Sequence, residues 1–146
     1  MSRPSTTFVT DTATMCVFDP VGLLHKLGDS ADWWSLPEAE LDAVNAGQAA
    51  FLNLGSDGAY TVQLHEQIDE PVLAVNLAVV SGRVFIGAAE EVTADGLEPE
   101  GAFGGMFFSL PIGSYTLLAR REANTIALAL VPAESCSNGF PELLRL

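Results

Sequence analysis

The chain has 146 residues and a formal net charge of −13, from 19 Asp and Glu residues against 6 Lys and Arg residues. This charge repels nucleic acid and anionic lipid, so neither a nucleic acid nor a membrane is an expected partner, and a basic protein is favoured. Apolar residues make up 49% of the chain, but no uninterrupted apolar stretch reaches the roughly 18 residues of a membrane span.

The length predicts one globular domain over residues 1–146. The N-terminal residues include Thr and Asp where a signal peptide needs an apolar segment, so we expect a cytoplasmic location. Cys16 and Cys136 lie near opposite ends of the chain and match no disulfide framework, so we expect two reduced thiols.

The chain begins with two short strands, predicted at residues 6–10 and 14–18, and then changes to helix. Asp19 and Pro20 are typical of a helix start, since Asp caps free N–H groups and Pro suits the first helical position. The apolar spacing that follows predicts a helix of about two turns that ends at Gly28.

A second short helix is predicted up to about Asn45. Ser35 and Glu38 have the spacing of a capping box, in which each side chain bonds a backbone N–H at the helix start. Leu41 and Val44 give this helix a narrow apolar edge.

From residue 49 the apolar residues alternate, which predicts strands. Two runs on either side of the segment from Gly55 to Gly58 indicate a β-hairpin. Further strands are expected at residues 72–80 and 83–88. Residues 90–105 have no sustained period and predict the longest loop, of a length that is often functional.

Residues 104–131 contain three apolar runs separated by turns, which predicts three consecutive strands. In the last of them Ala127 and Ala129 alternate with larger residues, so we expect its outer face to be closely covered. The C-terminal residues 141–146, PELLRL, are expected to dock on the body of the domain.

The predicted fold is therefore mainly β. Seven or eight short strands and two short N-terminal helices favour an antiparallel two-sheet β-sandwich, jelly-roll-like in arrangement, with a partly open barrel as the alternative.

The sequence contains no recognised catalytic constellation, so we expect a protein that is not an enzyme and uses no cofactor or metal. There is no G-x-S-x-G, HExxH or Walker motif. His25 and His65 are expected on polar surfaces, and the glycines at 101, 104 and 105 indicate a turn or bulge. The His and Cys residues lack the spacing of zinc ligands, and no loop has the pattern of an EF-hand.

Two segments outside the sheets are the predicted binding surfaces. Adjacent tryptophans before a helix cannot easily both face the core, so one is a candidate anchor for a sugar or a protein. The acidic loop that follows residue 88 is the second candidate. The predicted site residues are Asp32, Trp33, Trp34, Glu90, Glu91, Asp95 and Glu98.

Four segments, DWWSLPEAELDAVNAG, FLNLGSDGAYTVQL, SGRVFIGAAEEV and LPIGSYTLLARR, together resemble a family of small acidic bacterial domains of unknown function. The resemblance spans most of the chain. It implies a bacterial, intracellular, β-rich domain and assigns no catalytic residue.

Three functional hypotheses follow. The first is a non-enzymatic binding domain for a basic protein, for example an immunity-type protein or a regulator, because acidic surfaces complement basic partners. The second is a small-molecule or carbohydrate site at Trp33 and Trp34 with nearby carboxylates, with or without hydrolytic activity. The third is a structural subunit of a homo-oligomer.

Overall fold

The computed structural model describes residues 4–22, 36–92 and 104–146. These residues form ten strands and one α-helix, with a 3-10 turn at Ala89–Glu91. None of the helices in these ranges is long and apolar enough to cross a membrane. In chain order the elements are β1 (Ser5–Thr10), β2 (Thr14–Phe18), α1 (Pro37–Asn45), β3 (Ala49–Asn53), β4 (Gly58–His65), β5 (Leu73–Val79), β6 (Arg83–Ala88), β7 (Met106–Ser109), β8 (Gly113–Glu122), β9 (Thr125–Pro132) and β10 (Leu144–Arg145).

The strands form two five-stranded sheets, which confirms the mainly β, two-sheet prediction. Sheet A has the order β1-β4-β9-β8-β5, and sheet B has the order β10-β3-β2-β6-β7. Each sheet keeps two edge strands, so the arrangement is sandwich-like and is not a closed barrel.

The prediction of wholly antiparallel sheets is also wrong. β4 and β9 run parallel in sheet A, and β10 runs parallel to β3 in sheet B. The parallel pairs arise because β9 returns between β4 and β8, and because the C-terminal segment comes back to the edge of sheet B.

The predicted hairpin across Gly55 and Gly58 does not form. β3 belongs to sheet B, where it pairs with β2, whereas β4 belongs to sheet A, where it pairs with β1 and β9. The four residues between β3 and β4 therefore carry the chain from one sheet to the other.

The second predicted helix exists as α1, but its predicted capping box is wrong. The N-cap residue is Leu36, whose side chain makes no capping hydrogen bond, and Pro37 occupies the first turn. Most of the first predicted helix, with its end at Gly28, lies outside the described residues. Asp19 does bond the turn that follows it, since its Oδ1 accepts from the Val21 N–H at 3.0 Å.

The core lies between the two sheets and is rich in aromatic side chains. Phe8 stacks on Tyr60 with their ring centroids 5.7 Å apart, and Phe18 meets Phe85 edge-on at 6.1 Å. All four side chains are buried, and burial of this kind is the main force that holds two sheets together.

The outer edge of β5 is closed by three acceptors from distant parts of the chain. The Ala78 N–H donates to the Gly47 carbonyl at 2.9 Å, and the Val80 N–H donates to Asp19 Oδ2 at 3.0 Å. The Asn76 N–H donates to Asn138 Oδ1 at 2.8 Å. Because an open strand edge invites pairing with another chain, these bonds protect sheet A from edge-to-edge association.

The edge of β1 is covered by a close backbone approach. Gly105 donates its N–H to the Thr7 carbonyl at 3.0 Å, and a Cβ on Gly104 would lie 2.3 Å from that same oxygen. Both glycines have a φ of 89°, which only glycine adopts easily. Gly104 forms an isolated antiparallel bridge with Phe8 at this point.

The C-terminal segment docks as predicted. Leu144 is buried, and β10 adds to sheet B beside β3. Arg121 helps to hold this end of the chain, because its Nη1 donates to the Leu54 and Leu146 main-chain oxygens at 2.6 and 3.2 Å. Cys16 and Cys136 are not bridged, as predicted.

Candidate functional site

The candidate site is a groove beside α1, with a cavity volume of about 540 Å³. We call it the α1 groove. Its apolar part includes Leu36, which is 60% exposed, and its acidic part consists of exposed carboxylates on the helix. The described residues that line it are Leu36, Pro37, Glu38, Ala39 and Asp42.

The start of α1 explains why an apolar side chain is exposed here. Pro37 stands at the beginning of the helix, where its missing N–H costs no hydrogen bond. Leu36 precedes it in extended conformation, with φ −81° and ψ 120°, the backbone region that a residue before proline prefers. The preference therefore fixes Leu36 outside the helix.

The two carboxylates of the groove lie on one side of α1. Glu38 and Asp42 are four positions apart, so they are neighbours on the helix surface, roughly one turn from each other. Both side chains are exposed. The groove therefore places two negative charges beside an apolar surface.

The opposite side of α1 is fixed to the domain. Ala43 and Val44 are buried, and Asn138 Nδ2 donates to the Val44 carbonyl at 2.8 Å. Asn45 exchanges two bonds with the main chain of Phe140, at 2.8 and 3.1 Å. The segment after β9, residues 133–143, which we call the tail, therefore satisfies the carbonyl end of α1, and the groove lies on a well-anchored element.

Glu40 also lies on the buried side of α1, where it is 4% exposed. Burial raises the pKa of its carboxyl group to about 7, against a smaller opposing effect of a hydrogen bond from Asn53. That bond, from Asn53 Nδ2 to Glu40 Oε2, is 3.4 Å long. Glu40 is therefore a buried carboxyl group beneath the groove, with a charge that changes near neutral pH.

Glu90, a predicted site residue, is bound within the domain. Its Oε1 accepts from the Thr10 and Thr12 hydroxyls at 2.9 and 2.6 Å, and its Oε2 accepts from the Asp11 N–H at 2.7 Å. Burial works against ionisation, but these bonds outweigh it and lower the pKa of Glu90. A hydrogen bond between the Asp11 and Glu90 side chains, together with the negative charge of Glu90, raises the pKa of Asp11. Glu90 thus fastens the turn between β1 and β2.

The other predicted site residues are placed as follows. Glu91 is the last residue of the 3-10 turn at Ala89–Glu91. Asp32, Trp33, Trp34, Asp95 and Glu98 lie outside the described residues. Within residues 4–22, 36–92 and 104–146, no group of three or more His, Cys, Asp and Glu side chains is arranged to hold a metal ion.

Sequence reasoning missed the groove residues although it placed the helix. The sequence predicts a capping-box role for Glu38 and no role for Asp42. The available signal was their spacing of four positions, which puts both carboxylates on one side of any helix that covers residues 37–45.

Comparisons with known proteins identify the family and a related fold. No curated protein matches the chain. A solved structure titled "Crocagin biosynthetic gene J" is similar, with a TM-score of 0.58 and 14% identity, over 92% of this chain and 100% of that one. At this identity the likeness shows the fold alone. A family model described as "Family of unknown function (DUF6386)" matches residues 1–146, so the chain belongs to that family.

Proposed function

We propose that this protein is a non-enzymatic binding domain that holds a basic segment of a protein partner in the α1 groove, as an immunity-type or regulatory protein would. The main support for this proposal is the composition of the groove, in which exposed Leu36 lies beside the carboxylates of Glu38 and Asp42. The proposal includes a cytoplasmic location in a bacterium, in line with the resemblance described above.

Electrostatics favours a basic occupant at two ranges. At long range the net charge of −13 attracts a cationic partner and accelerates its association. At short range Lys or Arg side chains one helical turn apart match the spacing of Glu38 and Asp42. The charges therefore select the kind of segment and also its register.

The apolar part of the groove supplies the rest of the affinity. Leu36 exposes 60% of its surface, and covering an apolar side chain is favourable by about 25 cal/mol per Å². The partner segment should therefore carry an apolar side chain next to its basic ones.

The test uses two synthetic peptides, one of alternating Lys and Leu and one of alternating Glu and Leu, with binding followed by fluorescence anisotropy. We expect the basic peptide to bind and the acidic peptide not to bind. Raising the salt concentration should weaken binding, because exposed charge pairs are screened.

Two variants with the same net charge locate the binding surface. Glu38→Lys combined with Asp42→Lys reverses the charge of the groove, whereas Glu134→Lys combined with Glu142→Lys makes the same change at exposed positions in the tail. We expect the groove variant to bind the basic peptide at least about tenfold more weakly than the tail variant. Equal weakening of peptide binding in both variants would mean that net charge alone attracts the peptide, and it would refute the α1 groove as the binding site.

A pull-down from the source cell, at low and at moderate salt, then identifies the partner. The wild-type chain is compared with the groove variant, and a basic protein should be retained only by the wild type. Retention of the same proteins by both chains would count against the proposal.

A further inference from the structure

The outer face of sheet A carries a polar depression on the side opposite to the core. Its floor is Ala127 of β9, which pairs in register with Gln63 of β4 on one side and with Arg120 of β8 on the other. A small side chain between two long polar ones leaves a hollow across the three strands. The next alanine on this face, Ala129, is fully buried and does not line the hollow.

The depression has two lobes that share His65, Arg120 and Ala127. The first lobe, of about 210 Å³, adds only polar side chains to these three: Gln63, Glu122 and Thr125. The second lobe, of about 230 Å³, adds Gln67, Ile68 and Asp69 from the connection after β4. Apart from the Ala127 floor, the first lobe is lined by polar side chains, whereas the second lobe also has the apolar side chain of Ile68 on its wall.

Arg120 stands where the two lobes meet. Its Nη1 donates to the Asp69 carbonyl at 3.3 Å, which ties the connection after β4 to β8. Within the described part of the chain this is the guanidinium's one hydrogen bond, so donors remain for a ligand. A guanidinium with free donors is the group best suited to bind a carboxylate through two parallel bonds.

We propose that this depression binds an α-amino acid with an apolar side chain. The carboxylate would lie on Arg120, the ammonium group on Glu122, and the side chain against Ile68 in the second lobe. The lining residues supply each of these contacts at one place, which is separate from the α1 groove.

The charges of the lining favour a zwitterion over a simple anion. Arg120 is opposed by Glu122 in the first lobe and by Asp69 in the second, and the chain as a whole carries −13. A dianion such as phosphate would meet both acids and the overall negative field. A zwitterion satisfies the cation and one acid together and brings no net charge.

The test uses leucine and its two blocked forms as probes, with binding followed by calorimetry and by amide chemical shifts of the full chain. Leucinamide lacks the carboxylate, and N-acetylleucine lacks the ammonium group. We expect leucine to bind and both blocked forms to bind at least about tenfold more weakly. The largest chemical shift changes should lie on β4, β8 and β9.

Variants assign the two contacts. We expect Arg120→Gln to weaken leucine binding at least about tenfold while leaving leucinamide binding unchanged, and Glu122→Gln to weaken leucine binding while leaving N-acetylleucine binding unchanged. Arg145→Gln, on β10, is the matched control and should bind leucine like the wild type.

Three results would overturn the proposal. If leucine did not bind at millimolar concentration, the depression would not be an amino-acid site. Equal binding of N-acetylleucine and leucine would show that the ammonium group is not recognised. Chemical shift changes confined to α1 would place the ligand elsewhere.

Discussion

The side-chain amide of Asn138 pairs with the main chain of Asn76 as a neighbouring strand would. Asn138 Oδ1 accepts from the Asn76 N–H at 2.8 Å, and Asn138 Nδ2 donates to the Asn76 carbonyl at 2.9 Å. The same Nδ2 donates to the Val44 carbonyl at the end of α1. One side chain therefore closes the edge of β5 and caps a helix on the other side of the tail.

Replacing this residue tests its role. We expect Asn138→Ala to lower the free energy of unfolding by about 2 to 3 kcal/mol, because three hydrogen bonds are lost and the Asn76 N–H loses its acceptor. The measurement is urea denaturation at neutral pH. Asn124→Ala is the control, since Asn124 Nδ2 makes one exposed bond, to the Ala59 carbonyl, and should cost about 1 kcal/mol or less. If both variants lost the same free energy of unfolding, Asn138 would not stabilise the contact between β5 and the end of α1.

Two glycines with similar backbone angles should respond very differently to alanine. Gly47 has a φ of 74°, and a Cβ there would lie 1.9 Å from the Cys136 carbonyl oxygen. Gly55 has a φ of 83° with nothing within 4 Å of its Cβ position. We expect Gly55→Ala to cost about 1 to 2 kcal/mol, the usual cost of the left-handed region, and Gly47→Ala to cost at least about 2 kcal/mol more.

Denaturation of both glycine variants by urea provides the comparison. The excess cost of Gly47→Ala would come from displacing the tail from the end of α1. If the two variants were equally stable, the tail would not pack against Gly47 as described.

Glu40 should make stability fall as the pH rises towards neutrality. Burial raises the pKa of this carboxyl in the folded chain to about 7, above its unfolded value near 4.5. The stabilisation is therefore fully present below about pH 4.5 and is lost as the pH rises through about 7. We expect Glu40→Gln to be more stable than the wild type at pH 8, by roughly 2 kcal/mol, and to differ little from it at pH 4.5.

The measurement is the difference in unfolding free energy between the variant and the wild type across this pH range. Glu38→Gln, on the exposed side of the same helix, is the control, and its stability difference from the wild type should not grow in this way as the pH rises. A difference for Glu40→Gln that does not change with pH would contradict the buried carboxyl.

Glu90 should have the opposite pH dependence. Its hydrogen bonds outweigh burial and lower its pKa in the folded chain, so its contribution is present above its unfolded pKa and is lost as the pH falls through the folded value. We expect Glu90→Gln to be less stable than the wild type at pH 7 by about 1 to 2 kcal/mol, because charge-assisted bonds to Thr10, Thr12 and Asp11 are weakened.

The gap between Glu90→Gln and the wild type should narrow on acidification, as thermal or urea unfolding at several pH values will show. The exposed Glu134→Gln is the control. A gap that stayed constant down to acid pH would mean that the ionised carboxylate is not what fastens the turn between β1 and β2.

Strand positions could be predicted from the sequence because alternation is a local signal. β2 and β6 have the predicted bounds, and β5 differs from its predicted range by one residue at each end. Side chains that alternate between core and solvent leave this pattern wherever the strand pairs. The pairing of strands could not be predicted in this way, because the alternation of side chains does not indicate which sheet a strand joins.

The wrong hairpin illustrates this limit. The first four residues of β3 are all buried, because sheet A covers one face and α1 packs on the other. β4 alternates between buried and more exposed residues, because one of its faces is the outside of sheet A. The continuous apolar run in β3 was the available sign that the two strands belong to differently covered layers.

The candidate site was only partly predictable. The sequence indicates the DWW segment just before α1 and the acidic loop after residue 88 as binding surfaces, but the groove depends on Leu36 standing outside the helix with its side chain exposed. The capping-box pattern at Ser35 and Glu38 pointed to a helix start one residue earlier. With the helix predicted to start at Leu36, nothing in the sequence indicates that the Leu36 side chain is exposed next to the carboxylates.

The position of β9 has a consequence for how the chain is made. In sheet A, β9 lies between β4 and β8, and it is the last long strand of the described residues. Until residues 125–132 leave the ribosome, the pair β1–β4 and the pair β5–β8 have no strand between them. We therefore expect sheet A to be completed only at the end of synthesis, when β9 pairs with both β4 and β8 and joins the two strand pairs that were made earlier.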